Sequence, residues 1–141
     1  LDRYFYFYIN NEKITIYYEK AYKGGWVRYK DVPDFTVEID GDVVLVMDAK
    51  NYTAGFRSKM VNSIIISYIG SLHAEEGMIF FPDYPENEFM EHMANPETDS
   101  RGYTRLRCSP SDKPELIEMR NKSLQYIFDQ ITKSNQIKLS I

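Results

Sequence analysis

Apolar and polar positions along this chain follow two periods, one of strands and one of helices. Tyr4-Phe5-Tyr6-Phe7-Tyr8-Ile9 and Ile14-Thr15-Ile16-Tyr17-Tyr18 are aromatic and β-branched runs separated by the polar Asn10-Asn11-Glu12, which predicts a β-hairpin. Between Val32 and Tyr52 two more apolar strands meet at Asp40-Gly41, a second hairpin. Gly24-Gly25 separates the two, and Trp26-Val27-Arg28-Tyr29 reads as a short strand or turn. After a break at Thr53-Ala54-Gly55 the period lengthens. Met60, Val61, Ile64, Ile65, Tyr68, Ile69 and Leu72 recur at helical spacing, so a helix over 56–73 turns one apolar stripe toward the sheet. Gly77 to Pro82 is a short continuous apolar run, the pattern of a buried strand reached by a right-handed crossover.

The second half is less regular. Asp83 to Asp99 carries six acidic residues and no Lys or Arg, with Pro85 and Pro96 among them, which predicts a loop or insertion with a short helix around Asn87 to Met93. Gly102 to Cys108 alternates as a strand with Arg101, Arg105 and Arg107 on one face, either a phosphate-contacting edge or a charged edge strand that resists aggregation. Pro110 and Pro114 lead into a helix from Glu115 to Ser134 that buries Leu116, Ile117, Leu124, Ile127, Phe128 and Ile131. This order predicts an α/β fold, a mixed central β-sheet flanked by helices, in a single domain over residues 1–141.

The Val32–Tyr52 hairpin carries charges a sheet does not need. Asp34 stands at the mouth of its first strand and Asp48-Ala49-Lys50 at the end of its second, and charges there must be solvated, paired or bound to a metal. Whether they form one site depends on register. A two-residue Asp40-Gly41 loop pairs Asp34 with Met47 and sends it to the face opposite Asp48. A three-residue Ile39-Asp40-Gly41 loop, with Gly41 left-handed in a bulge, pairs Asp34 with Val46 and puts Asp34, Asp48 and Lys50 on one face. The x-Asp-Gly order favours the three-residue loop, since glycine stands where a positive φ is required. In that geometry Asp34, Asp48 and the carbonyl of Ala49 offer hard oxygen ligands suited to Mg²⁺ or Mn²⁺. Lys50 then stands where it can orient an attacking water and stabilise a pentacovalent phosphorane.

With these residues the stretch resembles the restriction-endonuclease-like PD-(D/E)XK nucleases. Pro33-Asp34 matches the first half of that motif and Asp48-Ala49-Lys50 the second, and the D-x-K closes the apolar run Val43 to Met47 with an amphipathic helix after it. The resemblance implies a restriction-endonuclease-like core and a Mg²⁺-dependent (or Mn²⁺-dependent) nuclease hydrolysing phosphodiester bonds in DNA, with Asp34 and Asp48 as metal ligands and Lys50 as the catalytic lysine. The D-x-K, Lys59-Met60 and Phe80-Phe81-Pro82 are also similar to the nuclease subunits of modification-dependent restriction systems. A buried hairpin whose Asp48 and Lys50 pair with each other is the competing reading.

The family begins its core with a helix that supplies a further acidic residue, whereas this chain opens on strands. That helix lies upstream of Leu1 or is absent, so the expectation is a fragment. Glu38 is separated from Asp34 by about 13 Å at the usual strand rise, which leaves Glu12 or Glu19 as the remaining acids. Arg57, Lys59, Asn62 and Ser63, at the start of the first predicted helix, reach a phosphate or form a solvated polar face. Together with Arg105 and Arg107 they are the candidate DNA contacts. The N-terminal tyrosines stack on bases or simply fill a sheet face with hydroxyls at its rim. His73 and His92 lack metal-ligand spacing and read as structural.

Composition narrows the setting. The 141 residues are 43% hydrophobic and 27% charged, an ordinary globular balance, and contain no apolar run of the length a membrane span needs. One cysteine, Cys108, excludes an internal disulfide framework and fits a reducing, cytoplasmic compartment. A net charge of −4 argues against a protein that coats nucleic acid, although carboxylate metal enzymes are often acidic. Expected partners are DNA, a second copy of the chain, and further domains or subunits of a restriction or repair system. A catalytically degenerate nuclease fold acting as a DNA-binding or assembly module is the alternative, and a plain structural domain is a third reading.

Overall fold

The computed structural model describes residues 2–23, 30–49, 58–82, 90–94 and 102–139. The N-terminal hairpin forms as its alternation predicts: β1 (Arg3–Ile9) pairs antiparallel with β2 (Glu12–Tyr18). Asn10 and Asn11, with φ of 50° and 67°, make the tight turn that strand twist favours. A two-stranded ribbon, β3 (Tyr22–Lys23) with β4 (Lys30–Asp31), precedes the second hairpin of β5 (Phe35–Ile39) and β6 (Asp42–Ala49). α1 (Ser58–Leu72) crosses over to β7 (Glu76–Phe81), which runs parallel to β6. His73 then takes a φ of 56° and Ala74 N donates to Ile69 O, closing α1 with a left-handed cap.

The sheet continues through β9 (Gly102–Arg107), parallel to β7, and ends on β8 (Met90–Ala94), antiparallel to β9. Its order is β1-β2-β5-β6-β7-β9-β8, a seven-stranded mixed sheet. α2 (Pro114–Leu139) closes the described chain. Pro114 opens this helix where its missing N–H is no loss, and Arg120 Nη1 and Ser123 Oγ donate to the carbonyls of Ser109 and Arg107, fixing α2 to the exit of β9.

The two helices cover opposite faces. Ile131 of α2 joins Ile14, Val37, Ile39, Leu45, Met47, Met78 and Leu106 in one core, while Ile65 and Ile69 of α1 join Val46, Ile79, Phe81 and Tyr103 in the other. Alternation along the strands therefore assigns Asp34, Thr36, Glu38, Val46 and Asp48 to the α1 face. No helix among the described residues is long and apolar enough to cross a membrane.

Four expectations are corrected. The β5–β6 connection is a two-residue turn, with Ile39 opposite Asp42 and Asp40 and Gly41 at φ of 49° and 90°. Asp-Gly fills both positive-φ positions of that turn, so no third residue is needed. The Met90–Ala94 stretch is strand β8 and not part of a short helix, because the outer edge of β9 is completed by a partner strand. β9 is consequently an interior strand and no edge. On α2, Ile127 and Ile131 turn inward as expected, but Leu124 and Phe128 are half-exposed, and Ser123 and Tyr126 turn inward in their place. The Trp26–Tyr29 segment lies outside the described residues.

Candidate active site

The register of the β5–β6 hairpin decides whether Asp34 and Asp48 meet. From the turn, Glu38 pairs with Val43, but Val37 pairs with Leu45, so β6 carries one extra residue across this step. That bulge shows in the packing: the consecutive Val44 and Leu45 both enter the α2-side core, while Val43 packs on the α1 side. Phe35 then pairs with Met47, and the next position brings Asp34 opposite Asp48. The two carboxylates share a face, though by a route other than the expected three-residue loop. Turn and bulge each shift the register by one residue in the same direction, and because side chains alternate with a period of two, the combined two-residue shift returns Asp34 to the expected face.

The contact is direct. Ala49 N donates to Asp34 Oδ2 at 2.8 Å, and Asp34 N approaches Asp48 Oδ1 at 3.4 Å, so each carboxylate reaches the backbone of the opposite strand. Asp48 is buried, 4% exposed, and Asp34 is half-buried. Both stand at the C-terminal end of β6, where parallel β6, β7 and β9 all end, the side of an α/β sheet on which ligands bind. Behind them, on the α2 face, Phe35, Met47 and Ala49 line an apolar cavity of about 620 Å³ with Phe80, Cys108 and Leu124. Burial in this apolar setting pushes the Cys108 thiol up.

The oxygen donors suit a hard cation. Two aspartates and a main-chain carbonyl are the kind of donors that Mg²⁺ takes together with waters, and are fewer protein ligands than Ca²⁺ takes. Among the described residues no group of three or more His, Cys, Asp or Glu is placed to hold a metal. The acids considered as a third ligand are committed elsewhere or distant. Glu38 Oε2 accepts from Lys20 Nζ at 2.8 Å and Tyr22 Oη at 2.6 Å, and Glu19 Oε2 pairs with Arg3 at 3.1 Å. Glu12 lies at the far end of β2, about 20 Å from the Tyr18 end beside Asp34. Lys50 and Arg57 lie outside the described residues, as do the side chains of Lys59 and Asn62 on α1.

The arginines of β9 differ from an edge array. Arg105 is buried, 8% exposed, and stands in one cross-strand row with Asp48 and Ile79 on the α1 face, its guanidinium 5.9 Å from the Tyr103 ring centre. Arg107 is half-buried and its Nε reaches Pro82 O at 3.4 Å. His73 is exposed and serves the α1 cap.

A polar cluster beside the carboxylates is absent from the sequence reading. Lys20, Tyr22, Thr36 and Glu38 meet over β5, with Tyr22 Oη also 2.9 Å from Thr36 Oγ1 and Lys20 Nζ 4.0 Å from the Tyr17 ring centre. Burial, then the hydrogen bond to Glu38, pushes the Tyr22 phenol well up. Burial draws Lys20 down, but the hydrogen bond and charge of Glu38 outweigh it and the ammonium is raised. The available signal was Glu38 itself, since an acid alternating with buried Val37 and Ile39 on an interior strand requires a cation. The chain matches no protein-family model and no curated protein.

Proposed function

We propose that this chain carries the metal site of a Mg²⁺-dependent nuclease acting on DNA. The observation that supports this reading is the pair Asp34 and Asp48, on adjacent antiparallel strands and one sheet face, tied through Ala49 N. When bound there, Mg²⁺ supplies charge to a phosphoryl oxygen and lowers the pKa of a water. Asp34, Asp48 and the Ala49 carbonyl would be the residues that hold it. Asp48 is buried and Asp34 half-buried, so Asp34 would be the ligand nearer an approaching phosphodiester. Lys50, two residues beyond Asp48, is assigned the developing charge on phosphorus. Lys59, Asn62, Arg57 and Arg107 are assigned to the phosphates of the substrate.

A second reading is favoured by one observation: among the described residues no third acid joins the pair. In that case the fold is a degenerate nuclease serving as a DNA-binding or assembly module in a larger protein. One experiment separates the two. Plasmid cleavage in Mg²⁺ is measured for the chain and for Lys50→Ala, with DNA affinity measured in EDTA. The nuclease reading expects cleavage to fall by orders of magnitude in the variant while affinity stays within a few-fold, because the lysine acts in the transition state. DNA binding without cleavage in the unaltered chain selects the module.

A further inference from the structure

We propose that the α1 face of β1 and β2 is a stacking platform for single-stranded DNA that leads to Asp34 and Asp48, an inference that rests on the nuclease reading for the direction of the strand. Tyr4, Tyr6 and Tyr8 alternate along β1 and are 56%, 53% and 63% exposed. Register carries their face across the sheet: Tyr4 pairs with Tyr17, Tyr17 with Thr36, and Thr36 with Val46. Asp34 and Asp48 stand two residues further along on that same face. α1 packs on β6, β7 and β9, which leaves the tyrosines of β1 outside its cover.

The chemistry of the surface distinguishes its occupant. Tyr6 and Tyr8 have ring centres 6.0 Å apart with their planes at 86°, so each ring offers its own face, and the three tyrosines span about 13 Å, a stride that an extended single strand matches with one base per ring. Duplex bases are stacked on one another and present no free face to such rings. Lys13 Nζ lies 4.5 Å from the Tyr6 centre, while Lys20 Nζ, 4.0 Å from the Tyr17 centre, is already bonded to Glu38. Tyr17 in turn lies 5.5 Å from Tyr4. Rings for bases and the Lys13 ammonium for a phosphate thus share the face of β1 and β2 that continues toward the carboxylates. An apolar protein partner has no use for a lysine among the rings, and the hydroxyl-bearing rings keep the face wettable when empty.

The test is fluorescence anisotropy with a labelled twelve-residue oligothymidylate in EDTA, which holds cleavage off. The platform expects this oligomer to bind at least about tenfold tighter than an abasic oligomer of equal length or a duplex of equal length. Replacing Tyr6→Thr and Tyr8→Thr together keeps strand propensity, checked by circular dichroism, and lowers oligothymidylate affinity by about ten- to a hundredfold. Equal affinity for the abasic oligomer, or an unchanged double variant, overturns the platform. A double variant that turns a dimer into a monomer by analytical ultracentrifugation while binding the oligomer as before also overturns it, assigning the face and its β1 edge to self-association. Mn²⁺ titration of the unaltered chain separates the two proposals: oligothymidylate binding without Mn²⁺ binding supports the platform and removes the nuclease reading.

Discussion

Asp34 accepts a hydrogen bond from the backbone of Ala49, the residue after Asp48, while its own N–H approaches the Asp48 carboxylate. Main-chain groups thus link the two carboxylates across the strands, and that structural role can be separated from the proposed chemical one. Asp34→Asn keeps an oxygen for Ala49 N and loses the charge. Calorimetry is expected to find stability within about 0.5 kcal/mol of the parent, and isothermal titration to find Mn²⁺ affinity at least about tenfold weaker. Unchanged affinity removes the metal site.

The turn and the bulge make a second prediction. Gly41 has a φ of 90°, where a β-branched side chain is strained, so Gly41→Val costs about 1–2 kcal/mol in chemical denaturation. Beyond the bulge, register is set by burial of Val44, Leu45 and Met47 and not by the turn. Mn²⁺ affinity of the folded variant should stay within about twofold, and a larger loss would show that the turn sets the register after all.

That hairpin also shows what the residue pattern can and cannot carry. Phe35, Val37 and Ile39 alternate with Thr36 and Glu38, and Asp-Gly marks the turn, so the strands and the mouth of the site were legible. Val43 to Met47 is uniformly apolar because β6 is buried on both faces, and a run without period holds no trace of an inserted residue. The shared face of Asp34 and Asp48 was thus anticipated through a register that does not occur. β8 pairs with a strand later in the sequence, and the Lys20–Glu38 contact joins separate segments, neither of which local pattern encodes. Leu124 and Phe128 are exposed because α2 packs through Ser123, Tyr126, Ile127 and Ile131, a stripe that includes a serine bonded to Arg107 O.

Packing under α1 offers a third prediction. A Cβ on Gly77 would lie 2.6 Å from Ile69 Cδ1 and 2.9 Å from Ile65 Cγ1, both in side chains buried against β7. Gly77→Ala should cost about 1–3 kcal/mol as α1 is pushed from the sheet. Ile69→Val removes the nearer atom, so the double variant should be more stable than the sum of the two single changes. Strict additivity would show that α1 shifts without strain.

The last prediction concerns alkaline pH and the cluster over β5. Tyr22 is half-buried and donates to Glu38, and the phenol is raised above its ordinary value of 10.0. Lys20, bonded to the same carboxylate, is raised above 10.5. Both groups hold their protons more tightly folded than unfolded, so their contribution is fully present below about pH 10 and is lost as pH rises toward the folded values. The melting temperature should therefore fall as pH climbs from 9 to 11. Tyr22→Phe keeps the ring beside Lys20 but removes the hydroxyl that Glu38 and Thr36 share. At pH 8 the variant should be less stable by about 1–2 kcal/mol, since a buried carboxylate and hydroxyl each lose a partner. Its decline between pH 9 and 11 should be shallower than that of the parent, because the group whose titration opposes folding is gone. Two melting curves that fall in parallel over that interval would show that the Tyr22 proton contributes nothing to holding β3 on the sheet.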